Sequence, residues 1–240
     1  RGRLMDSAGY VTLTRQSGLM REMQEVANNI ANISTTGFRR EGVIFAEHVV
    51  AVPEGPSLSM ASASARNIDL RQGELSETGG AFDFAIRGEG FFLVEDAAGQ
   101  RLTRAGSFTP GPTGELLTAD GARLLDEGGA PVVVPPGADV MLAQDGTLSA
   151  AGVPVARLGL WQPVDATKLR HLSGTVFDAG EVEPAAPGAV LLQGHLEDSN
   201  VSPVSEVARM IAVQRAYELG QGFLDREDQR MRGVIETLGR

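Results

Sequence analysis

Residues 25–40 read EVANNIANISTTGFRR, the end of an apolar-periodic segment that closes with three asparagines, a threonine pair and a glycine, and with no charged residue from Val26 to Phe38. Exposed helical faces are normally filled by Ala, Glu, Lys and Arg, because Asn costs roughly half a kcal/mol more than Ala at each position. The amides therefore need a reason beyond helix formation. Upstream, Leu13, Gln16, Met20, Met23, Ala27 and Ile30 recur at alternating three- and four-residue steps, with Leu19, Val26 and Ile33 widening the row. The helix is expected to stop near Thr36, with Gly37 left-handed at C′ and with Phe38 and Ile33 as the hydrophobic pair of a Schellman ending. On the heptad in which Leu13 and Ala27 are a positions, Asn28, Asn29 and Asn32 fall at b, c and f. All three are predicted to face away from the chain's own seam, toward another protein surface.

The other end of the chain mirrors this pattern. Ser202 can cap a helix, Pro203 fits its first position, and Glu206 complements the positive end of its dipole. Stepping on from Val207 visits Met210, Gln214, Tyr217, Gln221, Leu224, Asp228, Met231, Ile235 and Leu238, so that seven of ten positions are apolar or aromatic. Gly220 and Gly222 should weaken or bend this helix. Two such helices at opposite ends predict a discontinuous helical domain, residues 5–36 with 202–240, whose members pack in coiled-coil fashion while the middle of the chain loops out. The connector of residues 51–65 is rich in Pro, Ser and Ala, and residues 37–67 read as a linker or extended arm.

From Ile68 the period changes to two. Phe82, Phe84 and Ile86 alternate with Asp83, Ala85 and Arg87, and turn signals follow at Ala98-Gly99, Asp120-Gly121, Gly128-Gly129 and Asp145-Gly146. Thirty glycines and twelve prolines in 240 residues fit a turn-rich centre. The expected fold class is α+β, with a central, mainly antiparallel and meandering β domain over residues 68–201.

Composition removes several function classes. A net charge of −10 argues against nucleic acid or an anionic membrane surface as the main partner. With no cysteine, disulfides, thiolate catalysis and Cys-based zinc sites are ruled out. The longest apolar runs, such as FFLVE, are far below the roughly 20 residues that span a bilayer, so no membrane insertion is expected. The N-terminus lacks the apolar core of a signal peptide, and Met5 is the expected natural start, after Arg1–Leu4.

The usual catalytic patterns are also missing. His48, His171 and His195 lie far apart with no ligand spacing. RGEGFF has two glycines of a dinucleotide motif but lacks the third glycine and the helix. There is no P-loop and no nucleophile elbow. The acid pairs Glu95-Asp96 and Asp126-Glu127 adjoin turns, and the NIS and NVS triplets are too common to signify glycosylation. No catalytic residue, metal or cofactor is expected. Two rival classes remain to be tested. A periplasmic enzyme acting on peptidoglycan would show converging perturbed carboxylates in a cleft, and a binding module would show an exposed aromatic groove on the sheet.

Three stretches resemble the bacterial flagellar rod and hook proteins. VANNIANISTTGFRR is similar to that family's N-N-[IL]-A-N…T-x-G-[FY] signature. LEDSNVSPVSEVARMIAVQRAYE is similar to its C-terminal L-E-x-S-N-V…M-I-x-x-Q-R-A-Y-E signature. The central IDLRQGELSETGGAFDFAIRGEGFFLVE and LTRAGSFTPGPTGELLTADGARLL look like its β segment. The short interval from Ala46 to Asn67 resembles proximal rod members more than distal ones, and the tail after Tyr217 is less typical. The resemblance implies a structural, non-enzymatic subunit of the basal-body rod in the periplasm. Such a subunit would be exported unfolded by the flagellar type III apparatus without a cleaved signal and would polymerise helically with other axial proteins, proximal and distal, near peptidoglycan. It also implies subunit contacts at the signature residues: Asn28, Asn29, Asn32, Thr36, Gly37 and Phe38 at one end, and Ser199, Asn200, Val201, Met210, Gln214, Arg215 and Tyr217 at the other.

Overall fold

The computed structural model describes residues 2–50 and 58–238. The chain is α+β and divides into two compact units: one of residues 1–31, 41–67 and 202–240, the other of residues 32–40 and 68–201.

The first unit holds helix α1 (Gly2–Ala31), helix α2 (Pro203–Leu238), and strands β1 (Glu41–Val50) and β2 (Leu58–Ile68). Helix α2 begins where its sequence asks: Pro203 opens it, and the Ser202 carbonyl accepts from the Glu206 N–H at 3.0 Å. The segment expected to be a linker or arm instead carries β1 and β2, which pair as a two-stranded sheet, while 51–57 of its Pro- and Ser-rich stretch lies outside the described residues.

Helix α1 stops at Ala31, five residues short of the expected Thr36. The Asn32 carbonyl accepts from the Thr35 N–H at 3.2 Å, and Asn32 Oδ1 accepts from the Thr35 hydroxyl at 3.1 Å. These local bonds offer the backbone an alternative to another helical turn. Gly37 is left-handed as expected, with φ +73°, but it closes a turn in which the Phe38 N–H donates to the Thr35 carbonyl. The Schellman bond to Ile33 is replaced by this shorter one. A Cβ on Gly37 would lie 2.3 Å from the Ala105 backbone nitrogen, so glycine is required here for space as well as for conformation.

In the second unit the strand pairings within residues 75–197 are antiparallel. Each predicted turn is made by a glycine at positive φ: Gly99, Gly121, Gly129 and Gly146. The centre is a seven-stranded sheet in which strands β5 (Phe92–Asp96) and β6 (Gly99–Thr103) are interior. Strand β5 is buried on both faces. Phe92 and Val94 join one core with Phe84, Phe108, Leu116 and Leu148, whereas Leu93 joins a second with Leu102, Leu125 and Phe177. Period-two geometry sends alternate side chains to opposite faces, so one apolar run serves two cores. The topology is not the expected simple meander. Strand β3 (Leu75–Glu77) pairs with His195–Glu197, and strand β4 (Phe84–Arg87) with Val190–Gln193, so the two ends of the segment close on each other. That closure also buries Ala85, which simple alternation would expose.

Candidate assembly surface

On α1 the buried positions among the described side chains are Gln16, Gly18, Leu19, Glu25, Val26 and Asn29, while Leu13 and Met20 are 58% and 41% exposed and Ala27 is also exposed. The inward face is therefore turned by about one residue, near 100°, from the predicted row. Leu19 and Val26, read as its flank, are its centre. On α2 the inward positions are Glu206 and Val213, with Met210, Tyr217, Gly220 and Leu224 half-buried, while Val207, Gln214 and Gln221 of the predicted seam are exposed. Within this unit Gln16 Nε2 donates to the Tyr217 carbonyl at 2.9 Å, and Glu22 pairs with Arg209 at 2.8 Å.

The rotation overturns the reading of Asn29, which is fully buried. Its Oδ1 accepts from the Glu41 N–H at 2.9 Å, and its Nδ2 donates to the Glu41 carbonyl at 2.8 Å and to Glu206 Oε2 at 3.2 Å. One carboxamide thus stands in for a strand neighbour at the first residue of β1 and also holds the first turn of α2. Asn28 is exposed, as expected, and Asn32 is half-buried at the turn described above.

Other signature residues are also used inside their own unit. Phe38 is 1% exposed and stacks on His171, with ring centroids 5.1 Å apart. Asn200 accepts from the Arg40 N–H at 2.7 Å and donates to the Asp69 and Arg71 carbonyls at 2.8 Å each. Gly37 and Val201 are buried like Phe38, so these three do not face outward as contact residues, while Asn200 is half-buried. Thr36, Ser199, Met210 and Tyr217 are half-buried, and Gln214 and Arg215 are exposed.

A buried ionic cluster was not visible in the sequence. Arg39 and Arg104 both pair with Glu197 at 2.8 Å, and all three side chains are at most 3% exposed. Glu197 Oε1 also accepts from the Gly73 N–H at 3.0 Å, Arg104 donates to the Ile86 and Gly88 carbonyls, and Arg39 donates to the Arg71 carbonyl. Burial lowers the Arg104 pKa to about 10 despite the attraction of Glu197. It lowers Arg39 likewise. The cluster ties together segments more than 150 residues apart, and the only sequence signal for it is that Arg39 and Glu197 sit inside the two terminal signatures.

The described carboxylates with shifted pKa values do not converge. Asp69 is lowered first by the Arg71 side chain, Asp145 by the Thr147 N–H and Asp165 by the Thr167 hydroxyl, each within its own turn. A general acid would need the opposite shift. Among the described residues no group of three His, Asp or Glu could hold a metal ion. His171 is packed against Phe38 and Phe177, His195 bonds the Gln193 carbonyl, and the His48 side chain lies outside the described residues.

Comparison with known proteins agrees with this picture of a scaffold. Residues 13–39 match the flagella basal body rod protein family, residues 85–150 the flagellar hook protein FlgE/F/G D1 domain, and residues 192–236 the flagellar basal body rod FlgEFG protein C-terminal family. The flagellar basal-body rod protein FlgF of Caulobacter vibrioides is 38% identical over 245 residues, covering 98% of this chain and 99% of that protein. The chain belongs to the flagellar basal-body rod protein FlgF family. FlgF of Rhizobium meliloti is 35% identical with the same coverage, and a FlgG, from Agrobacterium fabrum, is 31% identical over 95% of this chain and 98% of that protein. The two rod-family matches take in Asn29, Arg39, Glu197, Asn200 and Glu206, and the D1 match takes in Arg104. No helix among the described residues is long and apolar enough to cross a membrane.

Proposed function

We propose that this chain is a structural subunit of the proximal flagellar rod, assembling helically through its terminal helices and transmitting torque without catalysing a reaction. The observation that carries this reading is the apolar surface left uncovered on those helices: Leu13 and Met20 on α1, and Val204, Val207 and Ile211 on α2, the last three exposed to 81%, 50% and 45%. A monomer in water gains nothing from such rows, and a polymer buries them. The paired, coiled-coil-like arrangement of α1 and α2 is supported by the Gln16–Tyr217 and Glu22–Arg209 contacts. Asn28, Gln214 and Arg215, exposed on the same helices, join the proposed contact surface with neighbouring axial subunits, FlgG among them. Delivery to the periplasm through the flagellar type III apparatus, and a position near peptidoglycan, follow from this role.

Assignment to FlgF rather than FlgG rests on the higher identities of the FlgF relatives and on the short interval from Ala46 to Asn67. Quantitative mass spectrometry of hook–basal bodies purified from the native strain tests the proposal. The chain should be present in a fixed ratio to the other rod proteins, and its absence from washed particles would overturn the reading.

A further inference from the structure

A cavity of about 600 Å³ opens in the second unit, and Trp161, the single tryptophan of the chain, lines it. Its size falls within the roughly 300–1,000 Å³ of small-molecule sites. Trp161 is half-buried: its side chain packs against the core of Leu93, Leu102, Leu125 and Phe177, and its Nε1 is buried with no partner. What the indole offers the cavity is therefore flat apolar surface and no hydrogen bond. The surroundings are fixed by backbone. Trp161–Pro163 pairs antiparallel with Val182–Pro184, and Pro184 and Pro187 stiffen the loop that forms one wall. A Cβ on Gly159 would lie 2.9 Å from Glu127 Cα and 3.1 Å from Trp161 Nε1, so glycine is what lets the chain pass this close to both.

Four polar side chains share the cavity with the indole: Glu127, Gln144, Asp145 and Arg157. Arg157 pairs with Glu127 at 3.5 Å, and Asp145 accepts from the Thr147 N–H at 3.0 Å and from its hydroxyl at 3.1 Å. An anion would meet two carboxylates here and a cation would meet the guanidinium, so the site favours a neutral ligand. The Gln144 carboxamide is exposed, bonds none of the described residues, and can both donate and accept. Carboxylate, carboxamide and guanidinium each present two hydrogen-bonding atoms side by side in a plane, a match for neighbouring hydroxyls on a sugar ring. The C–H face of such a ring is apolar and stacks on an indole. A proline-rich peptide, the other neutral ligand of aromatic sites, docks in a groove lined by several aromatic side chains, whereas Trp161 is the one aromatic residue lining this cavity.

We propose that this cavity binds a short uncharged glycan, with one pyranose ring stacked on Trp161 and its hydroxyls held by Gln144, Glu127 and Arg157. The proposal goes beyond the rod-subunit reading and does not depend on it. Because Trp161 is the single tryptophan, its emission reports on the cavity directly in the whole chain. Titration with chitotriose and with cellotriose should give a saturable change in emission with at least one of the two sugars, matched by heat in calorimetry. Gln144→Leu should raise the half-saturating concentration about tenfold, the size of one hydrogen bond. Gln214→Leu, on α2, should leave it unchanged. The proposal is overturned if neither sugar gives a saturable change in emission or any binding heat, and equally if Gln144→Leu binds as the parent does. Saturation by an oligoproline peptide in place of both sugars also overturns it and assigns the cavity to peptides. None of these results bears on the presence of the chain in hook–basal bodies, so the rod reading stands or falls separately.

Discussion

The carboxamide of Asn29 makes both backbone hydrogen bonds of Glu41, accepting from its N–H at 2.9 Å and donating to its carbonyl at 2.8 Å. A side chain on α1 thereby does the work of a neighbouring strand, and its remaining contact with Glu206 Oε2 ties the start of α2 to the same point. This gives the asparagine-rich helix end a role in folding as well as a candidate role in assembly.

Asn29→Ala should destabilise the first unit by about 2 kcal/mol or more, because buried N–H and C=O groups of Glu41 lose their partners. Asn29→Asp should be worse near neutral pH, since it replaces a donor to the Glu206 carboxylate with another acid. Urea denaturation followed by helical circular dichroism checks the order, and an Asp variant as stable as the parent would contradict it.

Asn28→Asp combined with Asn32→Asp should leave folding nearly intact. Asn28 is exposed, and an aspartate at position 32 keeps the oxygen that accepts from the Thr35 hydroxyl. The double variant should melt within a few degrees of the parent yet fail to enter the rod, read as lost swimming in soft agar. Normal motility would remove these amides from the proposed contact surface.

Glu197→Gln deprives two buried guanidinium groups of the carboxylate they share and should cost about 3–5 kcal/mol, the range for breaking a buried ion pair. Arg104→Met should cost less, because the Arg39–Glu197 pair that remains is neutral overall. Thermal unfolding of the two variants side by side gives the ranking.

Acid should weaken the second unit through Asp69. Its folded pKa lies below the ordinary carboxylate value because Arg71 hydrogen-bonds the charged form. The stabilisation is complete above the unfolded pKa, near 4, and is lost as pH falls through the folded value. Asp145 and Asp165 act in the same direction through their Thr147 and Thr167 partners. The Asp69→Asn variant should therefore show a flatter fall in melting temperature between pH 5 and pH 2 than the parent, where these pH limits are about one to two units either side of the ordinary carboxylate range.

The sequence made the two terminal helices and the central β elements legible, missed β1 and β2 in the expected linker, and misjudged which side of α1 is inside. The start of α2, the left-handed Gly37 and the four glycine turns at Gly99, Gly121, Gly129 and Gly146 depend on one to four adjacent residues, and local chemistry decides them. The inward face of α1 depends on partners far along the chain. The strongest apolar row, Leu13, Met20 and Ala27, points outward, while the inward face includes Gln16 and Asn29, whose burial is offset by bonds to the Tyr217 carbonyl, Glu41 and Glu206. Hydrophobic periodicity shows that a face must be covered but not whether the chain's own fold or a neighbour covers it. In an assembling subunit that ambiguity is expected. The Arg39–Glu197–Arg104 cluster was illegible for a similar reason: beyond the place of Arg39 and Glu197 in the terminal signatures, nothing local to the three residues announces that they meet.

The most direct test of the account is electron microscopy of hook–basal bodies from strains with and without this chain. Without it, rods should be absent or should end short at their proximal part, and a plasmid copy should restore them. Rods of normal length in its absence would contradict the assignment of this chain as a structural rod subunit.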